Sequence, residues 1–224
     1  MILKQHSMSD ISSVAQQLGV NLSPAQRELL QRYLALVQKW NKVYNLTALR
    51  DPADMLTHHL FDSLSVVAPL QRQLQALGLQ GGARLLDVGS GAGLPGVVLA
   101  ICCPALQVSC VDTVGKKAAF IQQVAVELRL ANLRGVHARV ETLTGPFDVV
   151  GSRAFASLVD FTSWSQVALA PQGVWMAMKG KHPAEEMVVL PAGVEVFHVE
   201  QLAVPGLDAE RCIVWMRKSA GAAV

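Results

Sequence analysis

The chain has 224 residues, 51% of them apolar and 16% charged, with 17 Gly and 10 Pro, the profile of an ordinary globular protein rather than a disordered or fibrous one. At this length folding buries well over half of the unfolded surface, so a core needs no disulfide or structural metal to hold it. The 19 Lys and Arg against 17 Asp and Glu leave a formal charge of +2, too small to announce a nucleic-acid binder by bulk electrostatics, while a local basic patch stays open.

The opening MILKQHSMSD has a lysine but no apolar stretch behind it, so it does not read as a secretory signal and places the protein in the cytoplasm. Residues 1–82 read as an N-terminal helical cap. Ser23-Pro24-Ala25-Gln26 supplies an N-cap, a first-turn proline and the glutamine of a capping box. Leu29, Leu30, Tyr33, Leu34, Val37 and Trp40 then recur at helical spacing. A second helix follows Asp51-Pro52, with Met55, Leu56, His59, Leu60, Leu64 and Val67 on one face, and glycines between Gly78 and Gly82 close the region.

From residue 83 to 218 short apolar runs alternate with helical segments, the βαβ grammar of a mostly parallel sheet covered on both faces. The predicted strands are Arg84–Val88, Gln107–Asp112, Gly135–Val140, Phe147–Ser152, Gly173–Lys179, Gly193–Leu202 and Arg211–Arg217, with helices starting near Pro95, Lys116, Ser157 and Pro183. The last two strands are joined by a loop alone and should pair antiparallel. Residues 219–224 form a tail expected to fray. The richest apolar run, Gly96 to Val111, is broken by Pro104, Gln107 and Ser109 and falls short of the roughly 18 residues of a membrane span. Cys102, Cys103, Cys110 and Cys212 show no CxxC spacing and read as buried reduced thiols. His58 and His59 are neighbours about 100° apart on a helix and cannot chelate together, so no metal is expected.

The most informative stretch is Asp87-Val88-Gly89-Ser90-Gly91-Ala92-Gly93-Leu94-Pro95-Gly96. Alternate glycines directly after an apolar strand let the backbone turn tightly and approach a ligand closely, and the next helix points its free N–H groups into the same crevice. Gly91 to Gly96 also satisfies the GxGxxG dinucleotide fingerprint, with Asp112 about twenty residues on as a ribose-binding acid. Two features favour S-adenosylmethionine over a dinucleotide. Asp87, just before the glycines, would attract a cationic amino acid moiety and repel a pyrophosphate. The antiparallel ending suits the methyltransferase version of the sheet.

The chain resembles the family of ribosomal RNA small subunit methyltransferase G, also called glucose-inhibited division protein B. The resemblance rests on Trp40-Asn41-Lys42-Val43-Tyr44-Asn45-Leu46-Thr47, His59-Leu60-Phe61-Asp62-Ser63, the glycine loop, Asp112 with Lys116-Lys117-Ala118-Ala119-Phe120, Arg139-Val140-Glu141, and Phe147-Asp148 with Ser152-Arg153-Ala154. It spans roughly residues 20 to 217. It implies a Rossmann-like class I fold that moves a methyl from S-adenosylmethionine to N7 of a guanosine, nucleotide 527 in the usual numbering, in the decoding-region loop of bacterial 16S rRNA. The partner would be that RNA or a small-subunit particle, with no membrane and no obligate protein partner. Carried over by motif, Gly89, Leu94, Val140, Glu141 and Arg153 would line the cofactor site, with Gly91 and Gly93 joining them from the loop itself, and Asp112 falls where class I methyltransferases hold the ribose hydroxyls. Leu94 departs mildly from a position often aromatic in the family.

The residues narrow the chemistry further. An amino-group methyltransferase would carry an Asn/Asp-Pro-Pro-aromatic turn after the fourth strand, where this chain has Ser152-Arg153-Ala154-Phe155. Guanine N7 has a free lone pair and no proton to lose, so attack on a sulfonium methyl asks for positioning and water exclusion rather than a base. No side chain is therefore singled out as catalytic. Phe155 is the nearest π-face for a cationic product. Arg153 is placed for a bidentate grip on cofactor or phosphate. Lys39, Lys42, Arg50, His58, His59, Lys179, Lys181 and His182 could ring the sheet edge toward RNA, and Asn41 and Asn45, one helical turn apart, could present two amides to one base. Two other classes share parts of this grammar: an NAD-dependent oxidoreductase and a non-catalytic RNA-binding protein that keeps the fold.

Overall fold

The computed structural model describes residues 11–219. The N-terminal MILKQHSMSD and residues 220–224 of the predicted tail lie outside the described residues. Ser219, where that tail was expected to begin, is tied down: its N–H donates to Gly193 O and its hydroxyl to Ala192 O.

Helix α1 (residues 11–17) leads into α2 (Pro24–Tyr44). The capping box forms as the sequence predicts. Ser23 Oγ accepts from Gln26 N at 3.2 Å and Gln26 Oε1 accepts from Ser23 N at 2.9 Å. The same glutamine donates Nε2 to Ile101 O and Cys102 O, which satisfies carbonyls at the end of a core helix while it starts α2. Asn45, in the left-handed region with φ 48°, terminates α2.

The helix expected after Asp51-Pro52 is segmented into α3 (Pro52–Met55), a π-helical turn (Leu56–Phe61), α4 (Asp62–Leu64) and, after a short turn, α5 (Val67–Ala76). The extra residue in a π turn advances everything after it around the helix axis, and that shift brings His59 and Asp62 to bear on the sheet edge.

The sheet has strands β1 (Arg84–Val88), β2 (Gln107–Asp112), β3 (Leu133–His137), β4 (Phe147–Arg153), β5 (Leu169–Lys179), β6 (Val194–Gln201) and β7 (Cys212–Lys218) in the order β3-β2-β1-β4-β5-β7-β6. All pairings are parallel except those of β7, which runs antiparallel to β5 and β6. Helices α6 (Gly96–Cys102), α7 (Gly115–Glu127), α8 (Leu158–Ser165) and the short α9 (Ala184–Val188) connect them.

Two strands, β3 and β5, differ from expectation by more than one residue. β3 begins and ends earlier than Gly135–Val140, because Val108 and Asp112 of β2 pair with Leu133 and His137, and Val140–Thr142 then forms a 3-10 turn. β5 starts at Leu169 rather than Gly173, because Leu169 pairs with Phe147 across a register shift that absorbs the Pro171-Gln172-Gly173 turn signal.

Side chains alternate across the sheet as the pleat requires. Leu85, Val108 and Val149 share one apolar cluster with Leu30, Tyr33, Leu60 and Leu70 of the helical segment and with α6 and α7. Leu86, Val88, Val111 and Val150 face the other side, under Leu158 and Phe161 of α8. Among the described residues no helix is long and apolar enough to cross a membrane.

Candidate functional site

Strand order reverses between β1 and β4, and the carboxyl edge at such a switch point is an open crevice because the connections leave it on opposite faces. The glycine loop fills the floor of this crevice. Gly89 N and Ser90 N both donate to Val111 O, Gly91 N donates to Asp112 Oδ2 at 3.0 Å, and Ala92 O accepts from Tyr33 OH at 2.7 Å. Gly89 has φ +67°, and a Cβ there would overlap the Phe155 ring, so the position admits only glycine. Gly96 is equally constrained, because its Cβ would enter the space of Cys110 Sγ and Asp87 Oδ2.

Two cavities open on this edge and meet at Gly89 and Ala154. The first, about 450 Å³, lies between the loop, the π turn and the end of β5, with Ser90, Gly91, Leu94, His59, Asp62, Arg153 and Arg211 on its wall. The second, about 330 Å³, lies between the loop, the end of β2 and the β3–β4 connection, with Asp112, Val140, Glu141, Phe155 and Trp164 on its wall. Ala154, at the junction, holds φ 50°, a conformation that costs a non-glycine residue energy and persists only where its surroundings impose it.

Most of the expected cofactor residues converge here. Gly89, Gly91, Leu94 and Arg153 line the first cavity and Gly89, Asp112, Val140 and Glu141 the second. Asp112 holds two turns at once, Oδ2 on Gly91 N and Oδ1 on Val114 N at 2.8 Å, with Lys117 Nζ at 3.9 Å. Each of its oxygens keeps a lone pair for a ligand hydroxyl. Glu141 is exposed and paired with Arg139 at 2.7 Å, and that hydrogen bond holds its carboxyl below the usual range. Gly93 lies buried under the loop and lines neither cavity.

Besides Gly93, four expectations are corrected by the geometry. Asp87 does not face the crevice: it is fully buried, its Oδ2 accepts from Gly96 N at 2.8 Å, and Oδ1 has no partner. It pins the start of α6 from below, and burial pushes its carboxyl up to about 7. Asn41 is buried with its amide fully engaged, Nδ2 on Leu49 O and Oδ1 under Thr47 N, both at 2.9 Å. Asn45 ends the helix rather than continuing it and accepts from Arg50 Nη2 at 3.3 Å. The two amides therefore do not share a face. Lys179 lines the first cavity but directs its ammonium to Ala156 O and to both oxygens of Glu186, at 2.8 to 3.0 Å, so all three of its N–H donors have protein partners.

Of the remaining basic candidates, His58 and His59 reach the first cavity, whereas Lys39, Lys42, Arg50, Lys181 and His182 are exposed outside both. His59 is buried with Nε2 2.8 Å from Thr47 Oγ1, and burial, reinforced by Arg153, lowers its pKa to about 4, so it is neutral at pH 7. Phe155 lies on the second cavity, not beside Arg153, edge-to-face with Phe161 at 6.4 Å and Trp164 at 5.9 Å. Cys102, Cys110 and Cys212 are buried and Cys103 half-buried, all as free thiols.

Sequence reasoning missed Asp62 and Arg211 as site residues. Arg153 and Arg211 meet on Asp62 across 91 and 149 residues of chain; no local periodicity reaches that far. The only signal was the place of Asp62 inside the His59-Leu60-Phe61-Asp62-Ser63 segment.

The antiparallel β7 between β5 and β6 departs from the all-parallel order of dinucleotide-binding sheets. With the glycine loop after β1 and a carboxylate ending β2, the fold and site define a Rossmann-like methyltransferase. The chain belongs to the family described as rRNA small subunit methyltransferase G, whose model matches residues 26–214. It is 69% identical over 215 residues to the ribosomal RNA small subunit methyltransferase G of Paracidovorax citrulli, covering 93% of this chain and 88% of that one. Among solved structures it is similar in fold to a SAM-dependent methyltransferase from Aquifex aeolicus, with TM-score 0.55 and 18% identity over 77% of this chain and 96% of that one. A second is the magnesium protoporphyrin IX methyltransferase of Synechocystis PCC 6803 with bound SAM, with TM-score 0.57 and 13% identity over 83% and 97% of the two chains.

Proposed function

We propose that this protein transfers the methyl group of S-adenosylmethionine to N7 of one guanosine of bacterial 16S rRNA, nucleotide 527 in the decoding-region loop. The observation that carries the reading is the pair of cavities joined at Gly89 and Ala154: one compartment fits a nucleoside and the other fits the two groups that must meet.

The residues present fit the cofactor. In the second cavity Asp112 and Glu141 offer carboxylate oxygens to ribose hydroxyls, and Val140 with Phe155 gives an apolar wall for a purine. In the first, the glycine loop brings its main chain to the wall at Gly89, Ser90 and Gly91, where a ligand can approach the backbone closely. S-adenosylmethionine brings an electrophilic methyl on a sulfonium, and guanine N7 attacks it with a lone pair that carries no proton. The protein's part is then to orient and to exclude water. The wall agrees with that task, since His59 is neutral and held by Thr47.

The test is incubation with radiolabelled S-adenosylmethionine and either small ribosomal subunits or naked 16S rRNA lacking base modifications, followed by mapping at 7-methylguanosine. Label at a single guanosine of the decoding-region loop is expected. Cofactor binding with no transfer to either RNA would overturn the assigned substrate and leave the methyltransferase fold.

A further inference from the structure

Asp62 emerges from the π turn at the head of α4 and is 3% exposed. Each of its oxygens is taken by a different arginine: Oδ2 accepts from Arg153 Nη1 and Oδ1 from Arg211 Nε, both at 2.9 Å. Arg153 ends β4 and also donates to His58 O at 3.0 Å; Arg211 immediately precedes β7 and also donates to Glu210 O at 2.7 Å. The two arginine side chains are 19% and 23% exposed and both reach the first cavity. Among the described residues Asp62 is the sole acid on that wall, and Lys179 is already neutralised by Glu186. Two guanidiniums against one carboxylate leave an excess of one positive charge, mostly withdrawn from water, with further N–H groups on both arginines that no protein atom among the described residues accepts.

A half-buried excess charge of this kind is costly until an anion meets it. The sulfonium and a base methylated at N7 are both cations and would be repelled. Two kinds of oxyanion enter the reaction complex, the cofactor carboxylate and the RNA phosphates, and a pair of guanidiniums carried on separate segments is suited to gripping several phosphate oxygens at once. We propose that Asp62 is a positioning residue that aligns Arg153 and Arg211 as a receptor for one backbone phosphate of the RNA strand bearing the target guanosine. The same carboxylate halves the charge that would otherwise oppose the sulfonium. This inference rests on the substrate reading above.

The experiment compares wild type with Asp62→Asn in methyl transfer to unmodified small subunits, alongside calorimetric titration with S-adenosylhomocysteine to count folded sites. The variant is expected to keep the binding stoichiometry, and its cofactor affinity within about threefold. Its KM for subunits should not rise, because the freed arginines still attract RNA, while kcat per folded site falls roughly tenfold to a hundredfold as the phosphate loses its register. Inorganic phosphate should compete with subunits for wild type and for the variant, because both keep the two guanidiniums. Unchanged kcat, or a kcat loss matched by lost stoichiometry, overturns the positioning role. Phosphate competing with S-adenosylhomocysteine instead of with subunits overturns the RNA assignment and gives the receptor to the cofactor carboxylate. If Asp62→Asn does not fold, Asp62→Glu, which keeps the charge and shifts the carboxylate outward, is read on the same scale. A wild type that binds cofactor but methylates no subunit overturns the substrate reading and the phosphate role with it, an outcome distinct from a loss confined to the variant.

Discussion

Gly89 shows how one position couples backbone conformation to packing. Its left-handed φ costs any other residue about 1 kcal/mol, and the Phe155 ring that a Cβ would strike is itself held by Phe161 and Trp164. Gly89→Ala is therefore expected to weaken S-adenosylhomocysteine binding by roughly tenfold or more in calorimetry, since about 1.4 kcal/mol of strain is tenfold in affinity. Asp87 and His59 make a second residue-scale argument, through pH. Asp87 has its pKa raised from 3.8 to about 7 by burial, so the folded state binds the proton more tightly and stability falls as pH rises from about 4 to 7, by up to about 4 kcal/mol. His59 has its pKa lowered from 6.5 to about 4, so the unfolded chain takes the proton first and stability rises over nearly the same range, by roughly 3 kcal/mol. The two oppose each other in wild type. Thermal unfolding across pH 4 to 7 should show Asp87→Asn gaining stability with pH more steeply than wild type, and His59→Gln losing it. Parallel profiles for all three would refute the assignment of these protons.

At the scale of the element, the segment between α2 and α5 depends on polar contacts more than on helical propensity. Asn41 sits on the last turn of α2 yet bonds forward to Thr47 N and Leu49 O, and Thr47 in turn holds His59. One amide thus closes the loop whose far side forms the wall of the first cavity. Asn41→Ala leaves a partly buried N–H and C=O without partners and is expected to cost roughly 1–2 kcal/mol, read as a fall in Tm of about 2–4 °C per kcal/mol for a chain of this size. The capping box and the glycine loop were legible because their partners lie within a few residues. The π turn was not, since the apolar spacing of Leu56, Leu60, Leu64 and Val67 suits an uninterrupted helix and only contact with the sheet edge favours the inserted residue. The early end of β3 escaped for a related reason: pairing with β2 sets the boundary, and Val140 is apolar whether it continues a strand or packs a 3-10 turn.

Across the whole molecule, the helical N-terminal segment completes the site as well as covering a sheet face. Tyr33 is fully buried in α2 and its hydroxyl donates to Ala92 O of the glycine loop, while Asp62 joins the ends of β4 and β7. Tyr33→Phe keeps the packing and deletes one buried hydrogen bond, so a stability loss of about 1 kcal/mol and a cofactor affinity weakened about threefold to tenfold are expected. Full retention of both would mean that the helical segment does not brace the loop. The order of strands and helices, the glycine loop, the capping of α2 and the polar ends of β1 and β2 were determined by the sequence itself, because each depends on periodicity or on hydrogen bonds between near neighbours. Which polar side chains face a ligand was decided only by the tertiary structure. Asp87, Asn41 and Lys179 look available in one dimension and are consumed by Gly96, the Thr47–Leu49 loop and Glu186 once folded. Asp62 and Arg211 look incidental and become the centre of a charged wall, because ion pairing between distant segments follows from the register of the sheet and the rotation of the helices, quantities that no local pattern encodes.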